Sequence, residues 1–292
     1  MALYVVGDVH GFLAQATTAL RAAGLIDDED HWSGGDARLW FLGDLTDRGP
    51  DGIGVIDLVR RLQREAAEAG GEVGCVLGNH DLLLLGSRYV PDALVSEQRS
   101  IIQVWALNGG KDEDLSGLDG SRAQWLASLP AVKLIDDHLL IHADTLAYLE
   151  FGGSVDEINE TVRSFVRQRD PNVFGYQTRL LFRRFEFLDG AEGVENARLL
   201  LAVLGGKQIV HGHSTIPETF GVSPSRVDGP MVYADGLVMA TDTGLALGAR
   251  CVVIELPHKE PTSFEEPAPS APPAKRTESG RRVKQSAPRK GS

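Results

Sequence analysis

The sequence predicts an α/β protein: a parallel sheet with helices on its faces, followed by a strand-rich end. Three observations predict it. Residues 1–80 alternate short apolar runs with longer stretches whose apolar residues fall at helical spacing. Gly and Pro punctuate that alternation where helices should start and stop. Past residue 207 short apolar runs recur without long helical stretches between them.

Leu3–Val6 reads as the first strand and the Ala- and Leu-rich segment Gly11–Ala23 as a helix ending at Gly24. Leu39–Leu42 is the second strand. Pro50 stands where a helix can begin, and Ile53–Ala69 is amphipathic and closed by Gly70-Gly71. Val73–Leu77 is the third strand. Such β–α units build a parallel sheet. Residues 82–130 read as mostly helical, with breaks near Pro91 and at Asn108-Gly109-Gly110. Val132–Ile135 and Leu139–Ile141 flank Asp136-Asp137-His138, a hairpin turn that would leave His138 exposed. Residues 145–200 read as helical and arginine-rich. Gln208–Val210, Met231–Ala234, Leu237–Ala240 and Cys251–Leu256 form the strand-rich end, with a turn at Asp235-Gly236.

The 292 residues are 42% hydrophobic and 24% charged, ordinary for a globular protein that buries a core. No stretch approaches the roughly 20 apolar residues that span a bilayer. The first strand begins so near the initiator Met that no signal peptide fits, so a cytoplasmic protein is expected. Cys75 and Cys251 lie in apolar runs and read as buried reduced thiols. The net charge is −12. Pro257–Ser292 holds eight Lys/Arg against four Glu, a net of +4, so the remainder carries −16. An acidic body argues against a nucleic-acid-binding surface. Residues 1–256 are read as one catalytic domain. Residues 257–292, rich in Pro, Ser, Ala and Lys/Arg, are read as a disordered basic tail whose partner, if any, is unknown.

Three segments carry the chemistry: Gly7-Asp8-Val9-His10-Gly11, Gly43-Asp44-Leu45-Thr46-Asp47-Arg48-Gly49 and Gly78-Asn79-His80-Asp81. Each follows a strand, and Asp8, Asp44 and His80 fall 36 residues apart, the length of one strand–helix–strand unit. The three turns should therefore share one sheet edge. Asp8 and His10 can reach one ion, Asp44 can bridge two, and Asn79 offers an amide oxygen. His142 and His213 also follow apolar runs. This mixture of carboxylate, imidazole and amide donors suits two divalent ions, Mn foremost, with Fe or Zn as alternatives. Such a pair can hold a hydroxide and clamp phosphate oxygens. Arg48 presents a fork for phosphate, His80 can protonate a leaving alkoxide, and Asp47 can orient His80.

Taken together, Gly-Asp-x-His-Gly, Gly-Asp-x-x-Asp-Arg-Gly and Gly-Asn-His-Asp resemble the signature of the calcineurin-like metallophosphoesterases, most closely the phosphoprotein phosphatase branch and its bacterial and phage relatives. His142-Ala143-Asp144, Gly212-His213-Ser214 and Asp242-Thr243-Gly244 resemble that family's later motifs. The resemblance covers about residues 3–256. It implies two mixed β-sheets packed as a sandwich and flanked by helices. It also implies one metal on Asp8, His10 and Asp44, and a second on Asp44, Asn79, His142 and His213. His80 would be the general acid, Asp47 its partner and Arg48 a phosphate ligand. The family commonly adds another arginine from the segment between the later histidines; Arg183 and Arg184 are the candidates taken here. Asp81 stands where Glu is usual, and Thr215 stands where some subfamilies have a further histidine. His211 is read as a group that steers a ligand rather than a ligand itself.

The expected function is hydrolysis of phosphomonoesters, most nearly that of a Ser/Thr protein phosphatase, by direct attack of metal-held hydroxide. Its substrate would be a phosphorylated protein. The alternatives are a symmetrical dinucleoside tetraphosphate hydrolase acting on a nucleotide and a non-catalytic phosphate-binding scaffold.

Overall fold

The structure is a computed structural model and describes residues 1–258. The tail read from the sequence lies outside the described residues except for Pro257 and His258. Among the described residues no helix is long and apolar enough to cross a membrane.

The strands are β1 (Leu3–Val6), β2 (Arg38–Phe41), β3 (Glu72–Cys75), β4 (Leu94–Ser96), β5 (Arg99–Ser100), β6 (Val132–Ile135), β7 (His138–Ile141), β8 (Gln208–His211), β9 (Met231–Tyr233), β10 (Val238–Ala240) and β11 (Val253–Leu256). The first sheet has the order β11-β1-β2-β3 and the second β6-β7-β8-β10-β9. In the first, β1, β2 and β3 are parallel and β11 is antiparallel. In the second, β7, β8 and β10 are parallel, with antiparallel β6 and β9 at the edges. Both sheets are thus mixed, as expected.

Alternation along the strands makes the sandwich. Leu3, Val5, Trp40 and Leu42 of the first sheet form one buried cluster with Leu140, Val210 and Met239 of the second. Their neighbours Val6, Leu39, Phe41, Leu139, Ile141 and Ile209 belong to a different cluster, shared with the helices. One face of each sheet meets the other sheet and the opposite face meets helices.

The helices are α1 (Leu13–Ala22), α2 (Gly52–Ala69), α3 (Asn79–Tyr89), α4 (Ile101–Leu107), α5 (Asp112–Gly117), α6 (Gly120–Leu126), α7 (Val155–Gln168), α8 (Pro171–Leu180), α9 (Gly190–Leu204) and α10 (Ile216–Phe220). The Asp51 side chain caps α2 by accepting from Gly54 N at 2.7 Å. Gly70, at φ 82°, ends it in the left-handed conformation that glycine favours.

Three local readings need correction. The β4–β5 hairpin lies inside the segment read as helical; it is only a few residues long and turns at Glu97-Gln98, which carries no Gly or Asn signal. His138 is not exposed but buried in β7, its Nδ1 without a hydrogen-bond partner. Cys75 is buried and Cys251 only partly so; both are free thiols.

Candidate metal centre

Within each sheet the strands that precede ligand motifs are parallel, β1, β2 and β3 in one and β7 and β8 in the other, so the motifs of each sheet gather where its strands end. Ligands commonly collect at the carboxyl ends of such strands. Asp8 and His10 follow β1, Asp44 follows β2, Asn79 and His80 open α3 after β3, His142 follows β7 and His213 follows β8. The loops bond to one another across the edge: His10 N donates to Asp44 O at 2.8 Å and Gly212 N to His142 O at 3.0 Å.

These loops bend sharply. His10, Asp44, Asp47, Arg48 and His213 all have positive φ, between 46° and 70°. Non-glycine residues in that region carry strain that the surrounding contacts must hold. Asp81 supplies one such contact. Its Oδ2 accepts from Asp44 N and Gly78 N, and its Oδ1 from Leu45 N, all at 3.1 Å. Burial, then the neighbouring Asp44 charge, push its carboxyl up to about 7. A Cβ at Gly78 would run into the nitrogen and Oδ1 of Asp44, so only glycine permits this approach.

Asp44 is the hub. Its Oδ2 lies 3.6 Å from His10 Nε2 and its Oδ1 lies 3.3 Å from His142 Nε2. Its Oδ1 also accepts at 2.9 Å from His80 N, one of the N–H groups left free at the start of α3. Burial raises the Asp44 carboxyl, but His142, His80, His10 and His213 outweigh burial and hold it below the usual range.

On one side, His10 Nε2 is 3.9 Å from Asp8 Oδ2, and His10, Asp44 and His80 bring donor atoms within 4.8 Å of one another. On the other, Asp44, His142 and His213 do the same. The Asn79 Oδ1 belongs to that second group, at 2.8 Å from both His142 Nε2 and His213 Nδ1.

The donor set fits divalent ions. His10 Nδ1 faces Thr46 O at 3.0 Å and His142 Nδ1 faces Leu42 O at 2.7 Å. A carbonyl can only accept, so both rings carry their proton on Nδ1 and leave Nε2 as a lone pair. The buried His10 Nε2 has no hydrogen-bond partner. Burial lowers the pKa of His10, His142 and His213, favouring the neutral ring a metal requires. Asp8 is raised by burial and by the Asp242 and Asp44 charges, a repulsion that a cation would relieve.

His80 stands apart in chemistry. Its Nδ1 is 2.8 Å from Asp47 Oδ2, and its Nε2 is 3.2 Å from an Arg48 Nη. The other Asp47 oxygen accepts from Trp105 Nε1 at 2.8 Å. Asp47 N donates to Asp114 Oδ2 at 3.1 Å, and Arg48 N to Gly109 O at 2.8 Å. The segment spanning α4 and α5 therefore backs the whole Asp47–Arg48 turn. Motif reading missed Trp105, Gly109 and Asp114. The only available signal was Asn108-Gly109-Gly110, which reads as a helix break.

The two candidate arginines from the later segment part company. Arg183 donates to Glu150 at 2.8 Å and is directed into that exposed ion pair. Arg184 has no ion pair among the described residues, stacks over Phe185 at 4.8 Å, and lies close enough for its charge to contribute to lowering His213. Its turn is tied to the histidine loops by buried Asp144, which accepts from Phe185 N at 2.8 Å and from Ser214 Oγ at 2.6 Å. His211, read as steering a ligand, bonds Tyr233 Oη at 2.9 Å and, at 2.8 Å, the carbonyl oxygen of Gly212, the residue before His213.

Comparison with known proteins agrees with this architecture. The chain is 30% identical over 206 residues to Shewanella-like protein phosphatase 2 of Arabidopsis thaliana, covering 56% of this chain and 51% of that protein. It is 33% identical over 143 residues to a symmetrical bis(5'-nucleosyl)-tetraphosphatase of Pectobacterium carotovorum, covering 49% and 42%. The chain thus spans about half the length of the curated relatives it matches. A solved cold-active protein-tyrosine phosphatase of a psychrophilic Shewanella shares the fold, with a TM-score of 0.64 at 22% identity over 87% of this chain and 75% of that one. Residues 1–217 match the family model described as calcineurin-like phosphoesterase, and the chain belongs to that family.

Proposed function

We propose that the protein is a metal-dependent hydrolase of phosphomonoesters, most nearly a Ser/Thr protein phosphatase. The observation that carries this reading is Asp44, whose two oxygens face separate donor sets, with His80 and Arg48 beside them. Asp8, His10 and Asp44 would hold one divalent ion, and Asp44, Asn79, His142 and His213 the other; manganese is the metal proposed. When bound, such a pair supplies an activated water and positive charge for the phosphate oxygens.

The chain's own residues do the rest. Arg48 and Arg184 bind and orient the phosphate from two sides. Asp47 holds the His80 ring by its Nδ1–H, which leaves Nε2 to carry a proton to the departing alkoxide. The contact between Arg48 and His80 Nε2 requires that nitrogen to be unprotonated. A phosphate that draws Arg48 away would free Nε2 to take up its proton.

The longer similarity to a Shewanella-like phosphatase, and the shared fold with a Shewanella phosphatase, support the phosphomonoester reading. Several relatives named as symmetrical bis(5'-nucleosyl)-tetraphosphatases support a second reading, cleavage of a dinucleoside tetraphosphate. A competition decides. Chelator-stripped protein reloaded with Mn²⁺ meets a phosphothreonine peptide and diadenosine tetraphosphate in one tube, and products are followed by mass spectrometry. Faster loss of peptide phosphate is expected. Faster appearance of ADP would replace the first reading by the second.

A further inference from the structure

We infer that Trp105 is a positioning residue for the proton-transfer step, fixing which oxygen of Asp47 faces His80. The inference rests on the reading of His80 as general acid.

Asp47 is fully buried, and each of its oxygens has one strong partner: Trp105 Nε1 on Oδ1 and His80 Nδ1 on Oδ2, both at 2.8 Å. An indole N–H can only donate, so Oδ1 accepts from it. The carboxylate is held at both ends and has no rotational freedom. Its Oδ2 is thereby presented to His80 Nδ1, and that bond directs the opposite ring nitrogen, Nε2, towards Arg48 and Asp44. The Asp47 backbone is fixed as well, at φ 70°, by the bonds to Asp114 and from Arg48 to Gly109.

Trp105 belongs to a different element and lies 58 residues along the chain from Asp47, so the contact is not a by-product of the turn. Packing alone does not require tryptophan here, since phenylalanine would supply apolar area. What tryptophan adds is a buried donor aimed at one carboxylate oxygen. Gly110 leaves room for the ring: a Cβ there would run into the indole. Without the N–H, buried Oδ1 loses its partner. Asp47 is then free to rotate, and the His80 ring loses its fixed direction.

A general acid matters most for a poor leaving group, so the test compares two esters. In W105F the turnover ratio of p-nitrophenyl phosphate to phenyl phosphate should rise about tenfold, a fraction of the 10²–10⁴ that a general acid contributes. Manganese content should stay the same. H80N, measured alongside, should show the same split more strongly. Benzothienylalanine at position 105 keeps the ring shape and lacks only the N–H; it should reproduce the W105F ratio even if phenylalanine disturbs folding. If H80N splits the esters and both position-105 variants leave the ratio unchanged, Trp105 has no positioning role and the inference falls. If H80N itself shows no split, the general-acid reading falls first.

Discussion

Two turns bring an arginine to the site, and they are built differently. The turn carrying Arg48 follows β2 and sets three non-glycine residues in positive φ, Asp44, Asp47 and Arg48. It holds the hub carboxylate and the partner of His80, and it is braced from outside by Trp105, Gly109 and Asp114. The turn carrying Arg184 lies between α8 and α9, sets only Phe185 in positive φ, and offers the site one guanidinium. Asp144 anchors it, helped by the bond from Leu146 N to Glu186. On the proposed reading the first turn carries both chemistry and binding, and the second carries binding alone. Both turns are braced by side chains from other segments, Trp105 and Asp114 for the first and Asp144 for the second.

That contrast is open to attack in order of expected effect. Asp44→Asn removes the charge shared by both donor sets; metal content by inductively coupled plasma mass spectrometry and turnover should vanish together. Full activity in this variant would end the account of the first turn. His80→Asn should keep its metal and slow turnover by about 10²–10⁴-fold; retained turnover would remove His80 from the proton path. Arg184→Ala should raise KM about tenfold, the size of one lost charge-assisted contact, with kcat nearly preserved. A loss confined to kcat would mean that the second turn also carries chemistry. Asp144→Ala should raise KM less and add little in the Arg184→Ala background, because it acts through that arginine. Additive effects would separate the two residues.

The smallest effect lies far from either turn and sets the baseline. His31 Nδ1 is 2.9 Å from Glu65, a bond that raises the His31 pKa above its ordinary value. The contribution is fully present below the unfolded value of about 6.5 and is lost as pH rises through the folded one. The melting-temperature difference between wild type and His31→Ala should therefore be seen at acid pH and close in alkali.

Much of this was legible in the sequence. The parallel opening was readable because β1, β2 and β3 alternate with amphipathic helices, and α2 has both its Pro-marked start and its glycine end. The donor residues were readable because each sits directly after an apolar run, where a strand must end. The sandwich pairing was not contained in period or spacing, since strands buried on both faces give only continuous apolar runs. The braces were hidden for a different reason. Trp105 reads as core until its N–H is seen to face Asp47, and Asp114 reads as a solvated acid until its burial is known. Arg183 and Arg184 look alike in sequence, and only their surroundings separate them: Glu150 beside Arg183, and Phe185 and His213 beside Arg184.

Under the proposed reading Asp44 joins two ions in one centre, and electron paramagnetic resonance of the manganese-loaded protein reports that bridge. An exchange-coupled manganese pair is expected at saturation and should disappear in Asp44→Asn. A spectrum of isolated ions at every loading, unchanged by Asp44→Asn, would contradict it.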